Sequence, residues 1–209
     1  MTGPLSGLRI IDLSSGPVAG IATMVLSDFG ADVIKVERRG GDPFRFLSNS
    51  PMWLRGKRSV ELDLKRRVGQ KHLYELTDTA DVVVSSFRSH AAVDLGCDYD
   101  VLASRNNRIV YVQLSGFGSS GPYAELPGYE GVVAAKSGRM QNFAGTASRE
   151  GPQFASVRVA SHAAAQATIS GVLAGLIARE RIGIGQYIET SMLRGMIPYE
   201  QGGLIRLQL

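Results

Sequence analysis

The chain has 209 residues, of which 44% are hydrophobic and 20% charged, with a formal net charge of +4. This balance predicts a globular protein with one sizeable core. The single cysteine, Cys97, excludes an intramolecular disulfide and a cysteine-rich zinc site, and the three histidines lack metal-ligand spacing. Basic and aromatic residues mostly lie apart, which argues against a nucleic-acid surface. We therefore expect neither a metal ion nor nucleic acid as a partner.

A membrane or secreted location is not predicted either. The weakly polar run 163–178 is shorter than the roughly 20 apolar residues of a membrane span. The N-terminus has no basic segment followed by an apolar stretch and a cleavage site. We expect a cytoplasmic protein without membrane contact, in which the run 163–178 belongs to a buried helix.

The N-terminal part of the chain is typical of a strand–helix–strand unit. Residues 8–14 form an apolar run that ends in a Ser-Ser-Gly-Pro turn, and residues 32–37 form a second such run. The helix between them is predicted from an apolar stripe of Ala22, Val25, Leu26 and Phe29, and Gly30 is placed to end it. Because a connection of this kind joins parallel strands, the unit predicts a parallel sheet.

Further strands and helices continue this pattern along the chain. Strands are predicted at 59–64, 80–86, 108–115 and 186–190. Helices are predicted at 129–140 and 161–180. The fold class is therefore α/β, with a mostly parallel sheet flanked by helices. The final stretch, 195–209, lacks the polar or capped ending of a finished domain, so we expect the domain to be incomplete at its C-terminus.

One glycine motif suggests a dinucleotide but lies in the wrong context. Gly116-Phe-Gly118-Ser-Ser-Gly121 matches G-x-G-x-x-G and follows a predicted strand. A dinucleotide fingerprint must open a helix, whereas Pro122 and Pro127 keep this chain extended or turning. The motif therefore predicts a tight loop that needs positive φ angles, and a nicotinamide-dependent oxidoreductase is a weakly supported alternative.

The first strand–helix turn, residues 14–20, is a better candidate for contact with a nucleotide. Glu37 ends the second strand, where an acidic residue often binds a ribose. Arg38 and Arg39 follow at once and suit an adenosine that carries an extra phosphate, as NADP and coenzyme A do. The alternative is that these two charges simply face the solvent.

A second basic group lies at both ends of the strand predicted at 59–64. Its members are Arg55, Lys57 and Arg58 before the strand, and Lys65, Arg66 and Arg67 after it. These residues could frame a polyphosphate, or they could be an ordinary solvated face.

The pair Ser161-His162 opens the long helix and invites a nucleophile–base interpretation. Neighbouring residues in a helix point about 100° apart, so His162 cannot easily face the Ser161 hydroxyl. We therefore expect Ser161 to be the N-cap of this helix, an interaction of about 1 kcal/mol.

Seven segments, taken together, resemble one known family. They are PLSGLRIIDLSSGPVAG, FGADVIKVERRGGDPFR, NSPMWLRGKRSVELDLK, ADVVVSSFR, IVYVQLSGFGSSGPY, PGYEGVVAAKSGRM and GVLAGLIARERIGIGQYIETSML. In this order they resemble the class III CoA-transferases of the CaiB/BaiF type, which include formyl-CoA and carnitine CoA-transferases and, in one branch, α-methylacyl-CoA racemases. The resemblance implies a Rossmann-like large domain, a smaller domain and two interlocked chains. It covers about the first half of a typical member, so residues 1–209 correspond to the N-terminal portion of the large domain.

The resemblance also implies a ligand, because family members bind CoA and acyl-CoA as substrates, with no covalently bound cofactor. The residues that it assigns to CoA are Arg38, Leu62, Asp63, Leu64, Lys65, Ser86 and Phe87. The loop 115–118 becomes a wall of the CoA site rather than a dinucleotide fingerprint.

The catalytic residue implied by the resemblance is missing. Family transferases attack the thioester with an aspartate at the start of the long helix, and counting back from Gly171-Val172-Leu173-Ala174 places Ser161 there. No Asp or Glu occurs between Gly151 and Arg179. Glu130 is the one carboxylate near the implied site. It is either a helix-start acid favoured by the helix dipole or a substitute nucleophile.

Racemase activity is not expected, because that branch uses a histidine in a Gly-His-Asp triplet, which is Gly128-Tyr129-Glu130 here. The leading hypothesis is a family III CoA-transferase that acts on a CoA thioester and a carboxylic acid. The alternative is a catalytically deficient CoA-binding subunit or half-domain. In either case we expect a homodimer or a complementing second chain.

Overall fold

The structure is a computed structural model that describes residues 3–146 and 148–200. Its centre is a parallel sheet of six strands in the order β3-β2-β1-β4-β5-β6. The strands are β1 (Arg9–Leu13), β2 (Asp32–Glu37), β3 (Arg58–Glu61), β4 (Val82–Ser85), β5 (Val110–Ser115) and β6 (Tyr187–Ser191). The expected α/β class and parallel sheet are therefore confirmed.

Nine α-helices and one 3₁₀ helix lie within the described residues. The α-helices are α1 (Pro17–Asp28), α2 (Ser50–Leu54), α3 (Arg67–Thr77), α4 (Ser89–Asp94), α5 (Tyr99–Arg105), α6 (Glu130–Lys136), α7 (Arg139–Asn142), α8 (Val159–Ile182) and α9 (Met192–Met196). The 3₁₀ helix is Ile197–Tyr199. The end of the predicted incomplete stretch, residues 201–209, lies outside the described residues, so that expectation stays a prediction.

Each face of the sheet has its own apolar core. On one face, α1 and α8 pack on residues such as Ile10, Val84 and Val112. On the other, α3 and α5 cover residues such as Ile11, Val83 and Tyr111. Alternate strand residues therefore belong to opposite cores, as expected for strands buried on both faces.

Helix α8 begins at the edge of the sheet where all the strands end, which we call the carboxyl edge. Its C-terminal end lies at the opposite edge, where the Arg108 guanidinium donates to the Gly183 carbonyl. Added Cβ atoms at Gly175 and Gly171 would contact Val110 and Val112 respectively, so the helix runs antiparallel to β5. Ser161 is ten residues before Gly171, or about 15 Å further toward the carboxyl edge at 1.5 Å per residue.

By length and composition α8 could cross a membrane, but 44% of its apolar window is buried inside the protein. It contacts α1, α9, β5 and β6. One face of α8 belongs to the core, whereas Leu173 and Ile177 are 38% and 56% exposed, so the expected buried helix is confirmed only in part.

Several sequence-based boundaries were wrong. Helix 129–140 is two helices, because Gly138 adopts the left-handed conformation (φ 79°) between α6 and α7. Phe29 is 53% exposed and lies outside the buried stripe of α1, which includes Ala22 and Leu26. Strand β3 starts at Arg58 and ends before Leu62. The expected helix end at Gly30 is confirmed by its positive φ of 102°.

Candidate functional site

The predicted CoA residues all follow strands at the carboxyl edge. Arg38 follows β2, residues 62–65 follow β3, and Ser86 follows β4. The Leu62 N–H donates to the carbonyl of Glu37, so the first two segments are neighbours. The strand order reverses between β1 and β4, which is where ligands bind in open α/β sheets. The Ser15 N–H donates to Ser86 Oγ (3.1 Å) and so links the two loops at this point.

These residues differ in what they could offer to a ligand. Leu62 and Leu64 are buried in the core, so they could form a wall or offer only backbone groups. Asp63 pairs with Arg66 and accepts from the Lys65 N–H (3.1 Å). Arg38 and Lys65 are exposed, and neither forms an ion pair with another described residue. Their charges are therefore free for an anionic ligand.

The Phe87 turn is fixed from both sides. Its N–H donates to Ser85 Oγ (3.3 Å), and its carbonyl accepts from Gln113 Nε2 (2.5 Å). The ring is half-buried and packs at the border of the core. An aromatic side chain held at this edge is suited to contact with a flat or apolar part of a ligand.

The glycine motif after β5 forms a loop, as predicted. Gly118 and Gly121 have positive φ angles, and no helix follows until α6. Glu189 of β6 fixes the loop by accepting from the Ser119 N–H and hydroxyl, both at 2.8 Å. Gly116 is in direct contact with the backbone of Gly128, leaving no room for a Cβ atom. This loop borders the carboxyl edge without being a phosphate-binding fingerprint.

Two features had suggested a dinucleotide, namely Glu37 and the N-terminus of α1, and both are already bonded to other groups of the protein. Glu37 accepts from Arg45 Nε (2.9 Å) and Nη2 (2.5 Å), so it is not free to bind a ribose, and that interpretation was wrong. At the N-terminus of α1, where a pyrophosphate would sit, the Gly16 N–H donates to the carboxylate of Asp42 (3.1 Å). The ring of Phe44 covers Gly16.

A cluster of buried charges lies behind the turn between β1 and α1, and we call it the buried ion network. The sequence analysis did not predict it. It comprises Asp12, Lys35, Asp42 and Lys57, whose side chains are at most 2% exposed. Lys57 Nζ contacts Asp12 (2.9 Å), and Lys35 Nζ contacts Asp42 (3.1 Å). The available signal was a charge inside an otherwise apolar strand, at Asp12 in LRIIDLS and at Lys35 in DVIKVE.

The charges in the network are mutually compensated. Asp12 also accepts from the hydroxyls of Ser14 (2.5 Å) and Thr23 (2.7 Å). Burial by itself would raise the pKa of Asp12, but the two ammonium groups and these hydroxyls lower it to about 2. Burial lowers the pKa of Lys57, against the opposing effect of Asp12. Removal of a single member would therefore leave an uncompensated buried charge.

The structure brings Glu130 and Ser161 together at the N-terminus of α8. Glu130 Oε1 accepts from the Ala160 N–H (2.9 Å), and Oε2 accepts from the Ser161 N–H and Oγ, both at 2.7 Å. Ser161 is not the N-cap, as we had expected. The helix begins two residues earlier, after Arg158, and Glu130 provides the cap from another helix. His162 is exposed and does not bond to Ser161 among the described contacts.

The chain matches the profile of CoA-transferase family III over residues 5–205. The chain belongs to CoA-transferase family III. It is 35% identical over 205 residues to the probable fatty acyl-CoA transferase Rv3272 of Mycobacterium tuberculosis, and 37% identical over 210 residues to the succinate–glutarate CoA-transferase of Agrobacterium fabrum. These matches cover 90% and 91% of this chain.

Solved structures of CoA-transferase family III proteins share this fold. A crystal structure of Rv3272 superposes with a TM-score of 0.93 at 32% identity, covering 99% of this chain and 58% of the relative. A CaiB/BaiF family protein from Brucella suis gives a TM-score of 0.89 at 29% identity, covering 100% of this chain and 59% of the relative. The chain spans about half the length of the curated relatives it matches, 50% and 51% for the two above.

Two further features concern metal-binding groups and cavities in the described part of the chain. Within residues 3–146 and 148–200, no group of three His, Cys, Asp or Glu side chains is arranged to hold a metal ion. A cavity of about 300 Å³ lies beside β5 and β6, lined by Tyr99, Tyr111 and Tyr187. It touches the Phe87 turn only through Gln113 and Ser89, and it contains neither Glu130 nor Ser161.

Proposed function

We propose that this chain binds CoA and acyl-CoA at the carboxyl edge and takes part in moving CoA from a CoA thioester to a carboxylic acid. Arg38, residues 62–65 and the Ser86–Phe87 turn would hold the nucleotide part. Arg38 and Lys65, which are exposed and form no ion pair with another described residue, support that role, because CoA carries three phosphates. NADP is disfavoured, because Glu37 and the N-terminus of α1 are already occupied.

The proposal rests on one observation, the carboxylate of Glu130 at the start of α8. Its Oε2 atom lies 2.7 Å from Ser161 Oγ, the side chain at the position where family transferases are expected to carry an aspartate. A carboxylate therefore lies at that position, although it comes from α6 rather than from α8. Two backbone N–H groups and the positive end of the helix dipole surround it.

In the proposed reaction, a Glu130 oxygen attacks the thioester carbonyl, the C–S bond breaks, and CoA leaves as the thiolate. This step forms a mixed anhydride. The thiolate then attacks the Glu130 carbonyl, which releases the donor acid and leaves an enzyme–CoA thioester. The acceptor acid reverses both steps. The N–H groups of Ala160 and Ser161 are close enough to stabilise developing negative charge.

A second candidate is a subunit that binds CoA without catalysis, and the same geometry gives it a specific basis. All three donors at the start of α8 are satisfied by Glu130, as in a structural helix cap, and Ser161 is only 3% exposed. The chain also spans about half of its relatives. A partner chain would then supply the rest of the reaction site. The cytoplasmic location of the protein stays a prediction in either case.

Exchange of CoA between an acyl-CoA and an isotope-labelled acid tests the two candidates. If Glu130 is the nucleophile, Glu130→Gln abolishes exchange, whereas Ser161→Ala and the exposed control Glu75→Gln retain it. Hydroxylamine then converts the enzyme–CoA thioester into a hydroxamate on Glu130, detected by mass spectrometry. Retained CoA binding without exchange or adduct supports the non-catalytic subunit.

Titration with CoA tests the binding site itself. Arg38→Ala is expected to weaken binding about tenfold, or about 1.4 kcal/mol, while the adjacent exposed Arg39→Ala has a smaller effect. Equal effects of the two changes would indicate only nonspecific charge attraction. Binding of NADPH but not CoA would contradict both candidates.

A further inference from the structure

The buried ion network has no part in the chemistry proposed above, yet it lies directly beneath the carboxyl edge. Lys35 and Asp12 belong to β2 and β1, whereas Asp42 and Lys57 belong to the long connection between β2 and β3. Trp53 of this connection is 1% exposed and packs against Gly20 of α1. The network thus fastens the β2–β3 connection onto the first turn of α1.

Lys35 and Asp42 together hold the turn between β1 and α1, residues 14–16. Lys35 Nζ donates to the Ser14 carbonyl (2.6 Å), and Asp42 accepts from the Gly16 N–H (3.1 Å). Both ends of the turn are thereby fixed. Between them, the Ser15 N–H points at Ser86 Oγ (3.1 Å).

That contact determines how Ser86 can meet a ligand. A hydroxyl group has one proton to donate and two lone pairs to accept. Because Ser86 Oγ accepts from Ser15, its orientation is set, and its proton remains available for an incoming group. If the turn were released, Ser86 would rotate freely and the hydrogen bond to a ligand would cost more entropy.

We infer that Lys35 and Asp42 are positioning residues for the CoA site, which act by fixing the β1–α1 turn and, through Ser15, the hydroxyl of Ser86. The inference rests on the proposed function, because it assumes that Ser86 contacts CoA. It adds two residues that touch no ligand, and it explains why charges are buried at this end of the sheet.

The test is a comparison of a buried ion pair at the carboxyl edge with a partly buried ion pair at the opposite edge of the sheet. Removing one charge alone leaves its partner uncompensated and could unfold the chain, so both charges are removed together. The variant is Lys35→Met with Asp42→Asn. The matched control is Arg179→Met with Asp81→Asn, which removes the ion pair at the amino edge (3.0 Å, 8% and 26% exposed).

The measurements are the dissociation constant of CoA by calorimetry and the urea midpoint of each folded variant. We expect the Lys35/Asp42 variant to bind CoA about tenfold more weakly, and the Arg179/Asp81 variant to bind it normally, even at equal loss of stability. Ser86→Ala should weaken CoA binding in the wild-type chain but add little in the Lys35/Asp42 variant, because the two changes disrupt the same contact.

The outcomes are distinguishable. Weaker binding by both double variants in proportion to their urea midpoints would show a purely structural role and overturn the inference. So would a full, additive effect of Ser86→Ala in the Lys35/Asp42 variant. Absence of CoA binding by the wild-type chain would overturn the proposed function, and this inference with it. Normal wild-type binding that is unchanged in the Lys35/Asp42 variant would overturn the inference alone.

Discussion

Among the helices that begin at the carboxyl edge, α1 and α8 each have a carboxylate from elsewhere in the chain at the first turn. At α1 the carboxylate is Asp42, which is 2% exposed and paired with Lys35. At α8 it is Glu130, which is partly exposed and has no cationic partner among the described residues. The same backbone requirement, unsatisfied N–H groups at a helix start, is thus met in two electrostatic settings.

The difference separates a structural carboxylate from one that could react. Hydrogen bonds from Phe44 and Gly16, with the charge of Lys35, outweigh burial and lower the pKa of Asp42. A carboxylate neutralised in this way fills the place where a dinucleotide phosphate would bind. Glu130 has hydrogen-bond donors but no cationic partner among the described residues, which supports the nucleophilic role proposed for it above.

The largest effect on stability is expected when a charge of the buried ion network loses its partner. Lys57→Met would leave the Asp12 carboxylate with one fewer cation in a fully buried site, and we expect the free energy of unfolding to fall by about 3–5 kcal/mol. Urea unfolding measures this, with the exposed Lys65→Met as control, for which little change is expected. A loss below about 1 kcal/mol would mean that water reaches Asp12.

A smaller loss of stability is expected when the pH is lowered. The pKa of Asp12 is about 2 in the folded chain, below its ordinary value of 3.8. The stabilisation is therefore complete above pH 3.8 and is lost as the pH falls toward 2, amounting to about 2 kcal/mol. Asp12→Asn should show a correspondingly shallower loss in urea unfolding across this window. Parallel curves for the two proteins would contradict the compensation seen at Asp12.

Much of the fold could be predicted because its signals are local. The apolar runs that became β1, β2, β4 and β5 are bounded by turn residues, and glycine ended α1 at the expected place. The sequence-based predictions failed where contacts between distant residues determine the boundary of an element. The start of α8 depends on Glu130, thirty residues away from Ala160, which no helix-capping pattern within the helix itself could reveal.

The proximity of the candidate residues follows from strands that could be predicted, but their contacts do not. Arg38, Lys65 and Ser86 each follow a predicted strand and meet at one edge because parallel strands all end there, and their binding of CoA stays a prediction. The pairing of Lys57 with Asp12 joins residues 45 positions apart, and it follows from the path of the β2–β3 connection rather than from any spacing. Glu37 was misinterpreted for the same reason, since Arg45 approaches it from that connection.

The smallest expected effect on stability is at Glu130, and it distinguishes the two helix starts most directly. Glu130→Ala removes all three accepted hydrogen bonds and should cost about 1 kcal/mol, as other lost helix caps do. Glu130→Gln keeps one carbonyl oxygen as acceptor, so its cost should be smaller, measured by urea unfolding. Both variants should nevertheless lose CoA exchange, because neither has a carboxylate. If Glu130→Gln were instead as destabilising as Lys57→Met, Glu130 would be a structural carboxylate like Asp42, and the non-catalytic subunit would be favoured.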